Sequence, residues 1–155
     1  MGNTLKGRFK PQHPEKYKGD PSNIIYRSSW EKDVMGWCDK SDHILWWKSE
    51  EVFIPYPNPI RKKWCRYYPD IIMGIKRDYG EEVRVVEIKP HKQTLPPPTP
   101  KRRTKSYYYQ LEQYVINQSK WKETRKYCEN RGWNFQILTE ENNPQWKKFK
   151  PKNNK

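Results

Sequence analysis

The sequence predicts an α/β protein built on a mixed β-sheet flanked by helices. Three observations carry this. A β-rich apolar stretch over Asp70–Arg77 is followed, after a turn, by another over Val83–Ile88. Helical patterning takes over from Ser106, and a final strand-like run closes the order at Asn134–Thr139. A leading helix, two strands, a long hairpin, a helix and a last strand make a mixed sheet rather than two separate layers.

Each element has a local reason. Ser28 or Ser29 can cap a helix reaching about Cys38, with Trp30, Val34, Trp37 and Cys38 spaced as one apolar face. The stretch HILWWKSEEVFIPYPNP reads as two short strands, His43–Trp47 and Val52–Pro55, about a polar turn. Pro57 and Pro59 should end the second. Asp78-Tyr79-Gly80 makes the hairpin loop, which sets Arg77 opposite Glu81. Residues 89–105 carry five prolines and a basic cluster, as an exposed and partly stiff loop. Tyr107, Leu111, Tyr114, Val115 and Gln118 then share a helical face; a second helical stretch covers about Lys120–Asn130, and Gly132 is a stop signal. The expected organisation is a basic extended arm over 1–23, one folded domain over 24–140 and a basic disordered tail over 141–155.

Composition narrows the function. Of 155 residues only 33% are apolar, so a core relies on the 8 Trp, 11 Tyr and 4 Phe, whose rings bury much area per residue. Lys and Arg number 32 against 18 Asp and Glu, a formal charge of +14 that suits a polyanionic partner, nucleic acid first among them. Three scattered cysteines, Cys38, Cys65 and Cys128, argue against a disulfide framework or a zinc site. No apolar run approaches the length that spans a membrane, and MGNTLKGRFK has no signal-peptide core, so a soluble, unexported protein is expected.

The chemistry gathers at one end of the hairpin. Counting back from the loop sets Asp70 level with Ile88, between Glu87 and Lys89. Glu87 and Lys89 are two apart in a strand and point to one face, while Val86 and Ile88 point to the other. Two converging carboxylates resist joint ionisation unless a cation sits between them, and Mg²⁺ binds through such acids together with phosphate oxygens. The neighbouring lysine can activate water or steady charge growing on phosphorus. An exposed strand-end ion pair would use the same residues and be worth little. Near this centre, Lys92, Lys101, Arg102, Arg103 and Lys105 lie on or beside the proline-rich loop, and Arg27 precedes the first helix. All six can engage a nucleic-acid backbone. Tyr107, Tyr108 and Tyr109 can stack unpaired bases, and QWKKFKPKNNK can act as a further anchor.

PD at 69–70 and EIK at 87–89 resemble the PD-(D/E)xK nuclease signature. Together with GRFKPQHPEKYKGDPSNIIYRSSWE, WWKSEEVFIPY, YYPD, VEIKP and NQSKWKETRKYCENRGWNFQILTEE, they resemble the head completion nucleases of tailed phages over roughly residues 7–141. That family is related to transposon end-cleaving and very-short-patch repair endonucleases. The resemblance implies a restriction-endonuclease-like core and Mg²⁺-dependent DNA cleavage, with Mn²⁺ as an alternative ion. It also implies a place late in phage head assembly, in the host cytoplasm or on the virion, beside portal and head proteins. By it, Asp70 and Glu87 match the metal-binding acids, Lys89 the catalytic lysine, Glu31 the acid of the leading helix, and Gln110 a supporting helical glutamine. The competing expectation is a head or neck protein that binds DNA or portal without catalysis. Nothing in the sequence reads bases, so cleavage is expected to be structure-selective or nonspecific, on duplex, branched or single-stranded DNA.

Overall fold

A computed structural model describes residues 6–143. The basic tail sequence QWKKFKPKNNK lies outside the described residues. The elements run β1 (Gly7–Phe9), β2 (Ile24–Tyr26), α1 (Ser29–Lys40), β3 (Ile44–Lys48), β4 (Ile54–Asn58), β5 (Lys63–Tyr67), β6 (Ile71–Arg77), β7 (Gly80–Ile88), α2 (Lys105–Arg131) and β8 (Asn134–Leu138). The main sheet has the order β3-β6-β7-β8; β8 alone runs parallel to its neighbour, so the sheet is mixed. Two further ribbons, β1–β2 and β4–β5, form their own ladders. This is the mixed α/β fold expected of a restriction-endonuclease-like core.

Alternation along β6 and β7 sends side chains to two buried faces. Ile71, Met73, Ile75, Val86 and Ile88 pack with Val34, Met35 and Cys38 of α1. Ile72 and Val85 pack with Cys128 of α2. α1 starts where Ser28 Oγ accepts the Glu31 N–H at 3.1 Å. Its buried face is Val34, Met35 and Cys38; Trp37, expected on that face, is 53% exposed. α2 is one helix rather than two stretches, capped by Thr104 and stopped by Gly132 at φ 70°. Asn117, Trp121, Thr124 and Cys128 are its buried stripe.

Several local expectations need correction. The hairpin loop has two residues, Asp78 and Tyr79, because Gly80 pairs with Arg77 instead of turning. Pro57 lies inside β4, not at its end; β4 pairs only with β5, so the missing N–H breaks no second ladder. Lys63–Tyr67 is a strand that the sequence did not announce. Within the segment read as an arm, residues 6–23 carry β1 and a 3₁₀ turn, and Tyr17 is buried against Trp47. Asp39, itself buried, accepts the Gln12 and His13 N–H groups and fastens this segment to α1.

Far from the acids of the hairpin's other end, Glu82 accepts from Arg77, Arg84 and Asn134. Burial raises its pKa, but these donors outweigh that and hold it down to about 2. Its contribution is therefore present above the ordinary glutamate range and lost as pH falls toward 2. Glu82→Gln is expected to lower stability by about 1–3 kcal/mol at pH 7, with the gap from wild type closing on acidification. Thermal melts across pH check this.

Candidate active site

The two-residue loop has a direct effect on the acids. Ile71 pairs with Val86, so Asp70 is level with Glu87 rather than with Ile88. Cross-strand partners share a face, and Lys89, two residues on, shares it too. The corrected register brings all three groups together more closely than the expected one did.

Asp70, half-buried, accepts the Ile88 N–H through Oδ2 at 2.8 Å. Burial, then the charges of Glu87 and Glu31, hold its pKa well above the carboxylate range, against that hydrogen bond and Lys89. Glu87 is 4% exposed. The Tyr67 hydroxyl donates to its Oε1, and Lys89 Nζ stands 3.2 Å from its Oε2. Burial works to lower the Lys89 pKa, but Glu87 and Asp70 more than offset it, and the ammonium is held protonated above its usual value.

Glu31, in the first turn of α1, acts on this cluster through its charge. Its Oε1 accepts the Arg27 N–H at 2.9 Å. Burial raises its pKa, with Glu50 and Glu87 adding to the effect. Arg27 forms a two-pronged pair with Glu50, at 3.2 Å through Nε and 3.1 Å through Nη2. Glu50 itself adopts φ 55°, a backbone region that a glutamate rarely occupies.

Two groups absent from the sequence reading join the site. Tyr67, on β5, is buried, and its own pKa is pushed up by burial and by the Glu87 charge. Lys120, on α2, lies 5.5 Å from the Tyr67 ring centre and 5.7 Å from that of Tyr56. Burial lowers its pKa, and the fields of Glu87, Lys89 and Asp70 all reach it. The only advance signal for Lys120 is its place beside Trp121 on the buried stripe. Tyr67 would have required seeing that Cys65 and Tyr67 alternate inward while Trp64 and Arg66 face solvent.

The remaining candidates are exposed or half-buried. Gln110 is exposed and donates to Ser106 Oγ at 3.2 Å. Ten residues separate it from Lys120, about 15 Å along the helix. Lys92, Lys101, Arg102, Arg103 and Lys105 are all exposed, between the end of β7 and the start of α2. Tyr108 and Tyr109 are exposed as well, and Tyr107 packs edge-on against Tyr108.

Among the described residues, no three acidic, histidine or cysteine side chains are gathered as a ready metal site. The donor set nonetheless fits a hard cation. It offers carboxylate oxygens only, and the charges of Glu87 and Glu31 already penalise ionised Asp70, a penalty a cation would relieve.

Comparison with known proteins agrees with this geometry. The family model described as TnsA-like endonuclease N terminal matches residues 41–140, which include Asp70, Glu87 and Lys89. The head completion nuclease of Enterobacteria phage T4 is 40% identical over 142 residues, covering 89% of this chain and 93% of that protein. No solved structure matches the chain. With the mixed sheet, the PD and EIK strand ends and a relative along nearly its whole length, the chain belongs to the head completion nuclease family of the PD-(D/E)xK superfamily.

Proposed function

We propose that this protein is a Mg²⁺-dependent endodeoxyribonuclease that hydrolyses phosphodiester bonds during phage head completion, after DNA packaging. The observation that carries the reading is the meeting of Asp70, Glu87 and Lys89 at one strand end, with Asp70 held against ionisation by burial and by the charges of Glu87 and of Glu31 on α1. Asp70, Glu87 and Glu31 would hold the ion, Mg²⁺ or Mn²⁺. When bound, it supplies Lewis-acid polarisation of a phosphoryl oxygen and a more acidic water.

The chain's own groups do the rest. Lys89 retains its proton at neutral pH, so it serves as a hydrogen-bond donor to a phosphoryl oxygen gaining charge rather than as a base. Tyr67 fixes Glu87 through Oε1, leaving Oε2 as the atom exchanged between Lys89 and an incoming partner. Lys120 adds a second cation on the α2 side. The exposed Lys92, Lys101, Arg102, Arg103 and Lys105 supply backbone contacts to DNA, and Arg27 can join them if it exchanges Glu50 for a phosphate.

We infer from the head completion relationship that the protein acts in the infected host's cytoplasm or on the virion, beside portal and head proteins. No helix among the described residues is long and apolar enough to cross a membrane. The test incubates the protein with supercoiled, linear and single-stranded DNA in Mg²⁺ or EDTA. Cutting is expected in Mg²⁺, to cease in EDTA and to return with excess Mg²⁺. Cutting that persists in EDTA would refute the metal dependence.

A further inference from the structure

The β4–β5 ribbon turns one face toward α2 and the other toward solvent. Ile54, Tyr56 and Tyr67 form the inner face with Ile116 and Tyr127 of α2. The outer face follows from the register, in which Pro55 pairs with Arg66 and Pro57 with Trp64. All four are exposed, and Trp64 is 65% exposed. One step beyond the ladder, Phe53 and Tyr68 are exposed with ring centres 6.0 Å apart, and the Arg66 guanidinium lies 4.6 Å from the Phe53 centre.

We infer that this outer face is a stacking platform for the unpaired bases of a DNA strand entering the active site. The inference rests on the DNA-nuclease reading and names the substrate form which that reading leaves open. Three observations favour a nucleic acid over a protein partner. First, every charged residue from 53 to 68 is a cation, namely Arg61, Lys62, Lys63 and Arg66, and the Arg66 guanidinium lies over the Phe53 ring, so phosphate-seeking groups share the ribbon with the rings. Second, β4 carries Pro55 and Pro57, whose missing N–H groups deny an added protein strand two ladder bonds. Third, the face leads straight into the chemistry, since Tyr68 is separated from Asp70 only by Pro69.

Aromatic rings with cations between them grip any base through its π-face and any backbone through its charge, which gives affinity without sequence reading. In a paired duplex those faces are buried in the stack. The surface therefore selects for frayed ends, flaps, gaps or single strands. Tyr108 and Tyr109 are also exposed, but they sit near the start of α2, at least ten residues before Lys120.

The test measures binding apart from cleavage. Full-length wild type, Trp64→Ala and Trp64→Phe are titrated in EDTA with a fluorescent single-stranded oligonucleotide and with a blunt duplex of equal length. Circular dichroism checks folding, and cutting of the same DNAs in Mg²⁺ is followed in parallel. Trp64→Ala is expected to weaken single-strand binding about tenfold, the loss of one stacked base. Duplex binding should change less than about twofold, and Trp64→Phe should recover most of the loss. Unchanged single-strand affinity would overturn the inference and leave the face to a protein partner; equal loss on both DNAs would overturn it in favour of a general backbone contact. If wild type binds as expected but never cuts, the nuclease reading fails while the platform stands. If it cuts and Trp64→Ala binds normally, the platform alone fails.

Discussion

Asp70→Asn is expected to reduce DNA cleavage by about 10³-fold or more while raising the melting temperature of the metal-free protein. The two effects share one cause. Asp70 is held above its ordinary pKa by burial and by Glu87 and Glu31, so the folded state disfavours its charge more than the unfolded chain does. The sign follows from linkage. Below the ordinary aspartate range the carboxyl is neutral in both states and carries no penalty. As pH rises beyond that range the unfolded chain ionises first, and the fold loses stability until Asp70 itself gives up its proton. Asparagine keeps the shape and an oxygen for the Ile88 N–H but never charges.

The gain should accordingly vanish in acid and reach a few degrees at neutral pH, at about 2–4 °C per kcal/mol for a chain of this size. Lys89→Ala provides the contrast. It should lose cleavage comparably yet lower the melting temperature, because buried Glu87 loses its cationic partner at 3.2 Å. Melts from pH 3 to 8, with and without Mg²⁺, separate the cases. Wild type should gain stability on adding Mg²⁺, and Asp70→Asn should gain little. Normal cutting by Asp70→Asn would remove it from the metal site.

The second large effect concerns Trp47, which is fully buried. Its ring meets Tyr17 edge-on at 4.7 Å and Phe9 at 5.8 Å, and its carbonyl accepts the Lys18 N–H at 2.9 Å. Tyr17 in turn donates to Glu51 at 3.0 Å. Trp47→Ala is expected to cost about 3–5 kcal/mol, a large part of the 5–15 kcal/mol typical of a domain. Its melting temperature should fall by roughly 10 °C or more, and residues 6–23 should become open to protease before the rest. Trp47→Phe is the control. The indole N–H has no hydrogen-bond partner among the described residues, so losing it sacrifices no bond and the cost should be well below that of Trp47→Ala, since most of the ring volume is kept. A melt of Trp47→Ala close to wild type would show that the N-terminal segment is held by other contacts.

What could be read in advance was whatever rests on local chemistry. Ser28 caps α1, Gly132 stops α2, and the Asn134–Thr139 run is β8 to within a residue. Asp70, Glu87 and Lys89 were legible because a hairpin of known period forces strand-end residues together. The register was off by one because Gly80 looks like a turn residue but extends the ladder at φ 134°. β5 was hidden because K-W-C-R-Y carries a cation on each face, Lys63 on one and Arg66 on the other, and only packing against α2 reveals the inward Cys65 and Tyr67. Lys120 was hidden for the converse reason. A lysine on a helix reads as surface until Tyr56 and Tyr67 close over it. The burial of Tyr17 depends on a tryptophan thirty residues away, beyond any local signal.

The β4–β5 ribbon shares no ladder with the four-stranded sheet, yet the Tyr67 hydroxyl ends on Glu87 of that sheet. The Tyr67 phenol thus adds a side-chain tie between ribbon and sheet to the three-residue backbone link, 68–70, by which β5 runs into β6.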